Sequence, residues 1–77
     1  MEITVLFFGE LAEVAGANKM AVQNMSDTQY LTEWMEEKYP ALKKRTYRIA
    51  VNKEVISEKR NLNNGDEVAL LPPYAGG

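Results

Sequence analysis

Apolar and polar side chains alternate from the start of the chain. Ile3, Val5 and Phe7 share one face, and Glu2, Thr4, Leu6 and Phe8 the other, in a stretch rich in β-branched and aromatic types. Period-two patterning of this kind predicts a strand over residues 2–8. Its second face starts polar and ends apolar. Glu10 to Ala15 predicts a short helical turn closed by Gly16, which adopts left-handed geometry without a steric penalty. From Asn18 to Met25, Met20 and Val22 alternate with Lys19, Ala21 and Gln23, which gives a second strand folding back on the first.

The period then changes. Ser26, Asp27 and Thr28 offer oxygen-bearing N-caps, and Leu31, Trp34, Met35 and Lys38-Tyr39 follow at helical spacing, with Glu33, Glu36 and Glu37 opposite. This helix is expected to end at Tyr39, because Pro40 disfavours helical geometry in the residue before it. Alternation resumes through Tyr47, Ile49 and Val51, and Asn52-Lys53 forms a tight turn into Glu54-Val55-Ile56. Leu62 stands alone among polar residues, as a plug reaching the core from a loop. Asn64-Gly65-Asp66 marks a turn, and Glu67 to Leu71 a last short strand with Val68 and Leu70 on one face.

The order is β, short α, β, α, β, β, β. It predicts an α+β fold of the ubiquitin-like β-grasp type, a mixed sheet of about five strands with one main helix packed across one face. In that architecture the first and last strands lie parallel at the centre. Ile3, Val5, Phe7, Val68 and Leu70 then meet Leu31, Trp34 and Met35 in the core. Leu6, Phe8, Ala69 and Leu71 fall together on the other face, where water-facing sheets carry polar residues. Two readings fit that apolar cluster: a partner surface, or a patch covered by the turn at residues 9–16.

Composition narrows the chemistry by subtraction. The chain has 77 residues, no cysteine, no histidine, and nine basic against eleven acidic side chains. That length holds one core. Without Cys or His there is no thiolate nucleophile, no Ser-His triad, no imidazole base and no His/Cys metal site. A net charge of -2, with Lys43-Lys44-Arg45 as the longest basic run, gives no footprint for nucleic acid. No stretch approaches a membrane span, and Met1-Glu2-Ile3-Thr4 lacks the basic start of a signal peptide. The expectation is a cytoplasmic binding or carrier module.

The remaining signal is the tail, Pro72-Pro73-Tyr74-Ala75-Gly76-Gly77. The prolines cannot donate sheet hydrogen bonds, so residues 1–71 are expected to form the domain and 72–77 a tail that projects from it, first stiff and then flexible. Gly76 and Gly77 have a physical rationale at a terminus. Bare of side chains, they can thread a narrow channel and bring the carboxylate to a buried phosphate. A carboxylate is a poor electrophile until activated as a mixed anhydride; an acyl-adenylate at Gly77 is open to attack by sulfur or nitrogen.

Val5-Leu6-Phe7-Phe8, Tyr39-Pro40-Ala41-Leu42, Ala50-Val51-Asn52-Lys53-Glu54 and the run from Asn64 through Val68-Ala69-Leu70-Leu71-Pro72-Pro73 to Gly77 stand in this order along the chain. In this order the sequence resembles the sulfur-carrying small subunits of molybdopterin synthase, the MoaD-like family, over essentially its whole length. It departs at Lys53, where such proteins often have glycine. The resemblance implies a carrier that is not itself an enzyme. A MoeB-like adenylyltransferase would adenylate Gly77 with ATP, and a sulfur relay would convert it to a thiocarboxylate. The tail would then insert into a MoaE-like large subunit, which holds the catalytic residues, and donate sulfur to precursor Z for the dithiolene of molybdopterin. The implied assembly is a heterotetramer, with no cofactor bound to the carrier. Leu6, Phe8, Ala69 and Leu71, with Pro72, Pro73, Tyr74 and Ala75, are the candidate partner contacts. A thiamine-thiazole sulfur carrier and a ubiquitin-like protein modifier share the same tail and remain alternatives.

Overall fold

The computed structural model describes residues 1–73. Strand β1 (Glu2–Phe7) leads into helix α1 (Glu10–Ala15), β2 (Lys19–Gln23) and helix α2 (Thr28–Lys38). A 3-10 turn over Pro40–Lys44 precedes β3 (Arg48–Val51), β4 (Glu54–Ile56) and β5 (Glu67–Leu71). The five strands form one mixed sheet in the order β2-β1-β5-β3-β4. β1 and β5 run parallel at its centre, with Val5 opposite Val68 and Phe7 opposite Leu70. Each of the other pairings is antiparallel. This is the β-grasp arrangement that the element order predicts.

Local chemistry explains the boundaries. Asp27 is the N-cap of α2: its Oδ1 accepts the Tyr30 N–H at 2.8 Å. The helix stops at Tyr39, whose backbone leaves helical geometry ahead of Pro40, with φ -127° and ψ 82°. Gly16 closes α1 in the left-handed region, donating its N–H to the Ala12 carbonyl at 2.9 Å. The turn before β5 is tied to the start of β1, with the Glu2 N–H donating to Asn64 Oδ1 at 2.7 Å and the Gly65 N–H to the Glu2 carbonyl at 2.8 Å. Asp66 holds this turn together, because its carboxylate accepts the Asn63 N–H at 2.7 Å and the Asn52 side-chain amide at 3.0 Å. These bonds, the Asn63 one foremost, hold its carboxyl below the usual carboxylate range. The register of β5 is thereby fixed from its first residue.

Leu31 and Met35 project from α2 into a core that contains Ile3, Val5, Phe7, Val51, Val68 and Leu70. Trp34, expected beside them, is corrected: it is 37% exposed and lies under the Lys38 ammonium, 5.4 Å from the ring centroid. On a helix, residues three and four apart flank a common line, and here Leu31 and Met35 take that line while Trp34 stays at its edge. Segments between the main elements complete the core, through Leu11 from α1, Met25 ahead of α2, Leu42 from the 3-10 turn, and Leu62. Leu62 is the loop plug that the sequence predicts. Tyr47, the residue before β3, is half-buried and donates its hydroxyl proton to Glu36 Oε2 at 2.6 Å, tying the entry to that strand to α2. Burial, reinforced by the Glu36 carboxylate, raises the Tyr47 pKa.

The β3–β4 turn carries two positive φ angles, 49° at Asn52 and 72° at Lys53. This is the geometry of a two-residue hairpin loop, in which asparagine suits the first position and glycine the second. Asn52 also accepts the Glu67 N–H on its side chain at 3.0 Å. Lys53 bears left-handed strain of about 1–2 kcal/mol, which glycine relieves at some cost in unfolded-chain entropy. Lys53→Gly is therefore expected to stabilise the fold by about 0.5–1 kcal/mol in chemical denaturation. A loss of stability would show that the lysine stem contributes more than the turn geometry costs.

Candidate functional site

One residue from each of four adjacent strands lines up across the face of the sheet that faces away from α2. Leu6 pairs with Ala69 across β1 and β5, Ala69 with Ala50 across β5 and β3, and Ala50 with Val55 across β3 and β4. The two alanines at the centre leave the sheet low between Leu6 and Val55. The result is a shallow apolar depression of about 410 Å³, also bounded by Phe8, Leu71, Lys53 and Glu67. Phe8 and Val55 are exposed by 45% and 47%. Lys53 and Glu67 give the rim one charge of each sign.

Of the two readings open for this cluster, the structure excludes cover by the turn. Leu11, the buried residue of α1, packs into the core with Ile3 and Phe7, so α1 belongs to the helix side of the sheet. The expected group Leu6, Phe8, Ala69 and Leu71 is brought together, and Ala50 and Val55 join it. Both additions were readable in the alternation: if Ile49 and Val51 face the core, Ala50 faces away, and Val55 lies between Glu54 and Ile56.

Phe8 and Leu71 lie at the end of the depression where β5 hands over to the tail. The Phe8 N–H donates to the Leu70 carbonyl at 3.2 Å, which holds the ends of β1 and β5 together one residue beyond the strand. Pro72 and Pro73 do not leave the body at once, as the sequence led us to expect. Both are half-buried. Pro72 sits against Gly9, where a Cβ would come within 2.8 Å of the proline Cγ. Pro73 borders a crevice with Glu10, Lys44, Arg45 and Thr46. Tyr74, Ala75, Gly76 and Gly77 lie outside the described residues.

Chemically, the face is apolar, and Lys53 and Glu67 are the charged residues that line its depression. Among the described residues no group of three acidic, His or Cys side chains could hold a metal ion. None of their helices is long and apolar enough to cross a membrane.

The model of the ThiS family matches residues 5–77, a span that includes both the apolar row and the tail. The chain belongs to the ThiS family. A curated relative of this ThiS-family chain, the molybdopterin synthase sulfur carrier subunit of Chlamydomonas reinhardtii, is 36% identical over 83 positions that cover all of both chains. Among solved structures, a complex of subunits 1 and 2 of the molybdopterin-converting factor from Helicobacter pylori 26695 contains a chain similar to it. That chain is 28% identical, with a TM-score of 0.76 and full coverage of both. The small archaeal modifier protein 1 of Methanosarcina acetivorans is 26% identical with a TM-score of 0.82, covering 99% of this ThiS-family chain and 96% of its own.

Proposed function

We propose that this chain is a sulfur carrier for molybdenum-cofactor biosynthesis, acting through the carboxyl of Gly77. The observation that carries the reading is the apolar row Leu6–Ala69–Ala50–Val55, continued by Phe8 and Leu71 to the root of a tail that ends Gly-Gly. Family membership and a full-length relative named as a molybdopterin synthase sulfur carrier subunit support it. The chain contains no cysteine to carry sulfur on a side chain.

In this reading a Gly77 carboxylate oxygen attacks the α-phosphorus of ATP on an adenylyltransferase partner, and pyrophosphate leaves. A sulfide-level donor then attacks the acyl carbon, AMP leaves, and the terminus becomes a thiocarboxylate. The thiocarboxylate sulfur then attacks an oxygen-bearing carbon of precursor Z, a carbon–sulfur bond replaces the carbon–oxygen bond there and the oxygen substituent leaves. Water hydrolyses the resulting thioester at its acyl carbon, which keeps the sulfur on the pterin and restores the Gly77 carboxylate. The carrier contributes the reacting carbonyl and the docking face. The large subunit contributes the catalytic groups, in a heterotetramer of two carriers on a central dimer. The similarity to a complex of two converting-factor subunits supports such a partner.

A second reading has its own support in the similarity to an archaeal modifier protein. There the same adenylate is attacked by a lysine amine of a target protein, giving an isopeptide. Intact mass after incubation with the adenylyltransferase, ATP and a sulfide donor tests both. One oxygen-for-sulfur exchange at the C-terminus is the expected result. Stable conjugates with other proteins, without the exchange, would favour the modifier, and an unmodified chain beside a competent activating enzyme would exclude both.

A further inference from the structure

The tail that the carrier reading depends on leaves the body through a fitted passage. Gly9 joins β1 to α1 with φ 56° and ψ -136°, a conformation that L side chains resist. Its carbonyl accepts the Ala12 N–H at 3.1 Å, and the flanking Phe8 carbonyl accepts the Leu11 N–H at 3.1 Å, so the first turn of α1 holds it in place. On its bare Cα lies the ring of Pro72, the first residue after β5; a Cβ at position 9 would be 2.8 Å from Cγ and 3.8 Å from Cδ. Real Cβ atoms do not approach carbon so closely, so the ring and any side chain at position 9 exclude one another.

The next residue meets a second wall. Pro73 borders the crevice whose sides are Glu10 and the Lys44–Thr46 segment, and Glu10 Oε2 lies 2.9 Å from the Arg45 guanidinium. Both partners of that ion pair are substantially exposed, so it guides the chain weakly. The contact with Gly9 is steric, and it dominates.

We propose that Gly9 is a positioning residue for the terminal carboxyl: by admitting Pro72 it fixes the point and direction in which the chain leaves the sheet. This rests on the carrier reading. On that reading the four residues from Tyr74 to Gly77 carry the reacting carboxyl, a reach of at most about 14 Å beyond Pro73. Over so short a tether, a displaced root displaces the reacting carbonyl by a comparable distance. Misplacement by about 1 Å can cost on the order of a hundredfold in rate. The apolar row Leu6–Ala69–Ala50–Val55 contains neither Gly9 nor Pro72, so docking on that row and delivery of the carboxyl separate.

The test is steady-state thiocarboxylate formation with the adenylyltransferase, ATP and a sulfide donor, with the full-length carrier as the varied substrate. Gly9→Ala is expected to lower kcat about 10- to 100-fold and to change KM less than about threefold. Glu10→Ala is expected to stay within about twofold of wild type in both. Pro72→Gly removes the ring from the other side of the contact and leaves residue 9 unstrained; a similar fall in kcat is expected, and it decides the matter if Gly9→Ala does not fold. Wild-type kcat in either folded variant would overturn the proposal, and so would a raised KM with kcat unchanged. The carrier reading fails in a different way, through a wild-type chain that gains no sulfur.

Discussion

Deletion of Gly77 is expected to reduce thiocarboxylate formation at least about 100-fold while leaving the fold unchanged. Removing one residue draws the carboxyl back by about 3.5 Å along an extended chain. An activated carbonyl tolerates far less than that, since proximity and alignment of the reacting atoms supply much of the rate. The core clusters and strand registers lie between Glu2 and Leu71, so none of them loses a partner. Intact mass after activation, alongside a denaturation curve, checks both halves. The unfolding free energy should move by less than about 0.5 kcal/mol. Normal sulfur incorporation in the shortened chain would place the reacting group elsewhere, and loss of cooperative unfolding would show that the end of the chain packs on the body.

Phe8→Asp is expected to weaken binding to the large synthase subunit by about 30-fold or more. Phe8 is 45% exposed and stands beside Leu71, on the side of the apolar depression nearest the tail. An aromatic side chain at the centre of a desolvated contact commonly contributes about 2 kcal/mol or more, and a carboxylate placed there must lose its water without a partner. With so much of Phe8 already in solvent, the free protein should lose no more than about 1 kcal/mol. Calorimetric titration with the large subunit measures the first effect, and urea unfolding the second. Unchanged affinity would remove the sheet face from the interface. A stability loss of several kcal/mol would mean that Phe8 supports the core after all.

Most of the architecture is written in short-range pattern. Period-two alternation at Ile3, Val5 and Phe7, the Asp27 cap, the stop before Pro40 and the Asn64-Gly65-Asp66 turn each act over a few residues, so they can be read locally. Gly-rich or Pro-bounded breaks then leave few ways to order the elements. Trp34 shows where this fails: helical spacing marks a stripe of apolar positions, but not which of them the sheet has room for. Leu11, Met25 and Leu42 escape for the opposite reason. Each sits in a segment too short to show a period, and each is buried only because distant chain closes over it.

The candidate site divides in the same way. Alternation places Leu6, Phe8, Ala69 and Leu71 on one face, whereas the row they form with Ala50 and Val55 depends on the register between strands. The fit of Pro72 on Gly9 joins residues at opposite ends of the chain. Its one sequence signal is a glycine in a position that a turn alone would explain.

The parallel pairing of β1 with β5 at the sheet centre has a consequence for synthesis. The first strand made cannot acquire its central neighbour until the last has left the ribosome, and β3 waits for the same partner. Such long-range closure is slow compared with hairpin or helix formation. A nascent chain stalled before Glu67 has no Ala69 to bridge Leu6 and Ala50, and therefore no apolar row across the sheet. On the carrier reading proposed above, a product that stops short of β5 would give a partner no such row to recognise, whereas one that stops just after Leu71 would still display it.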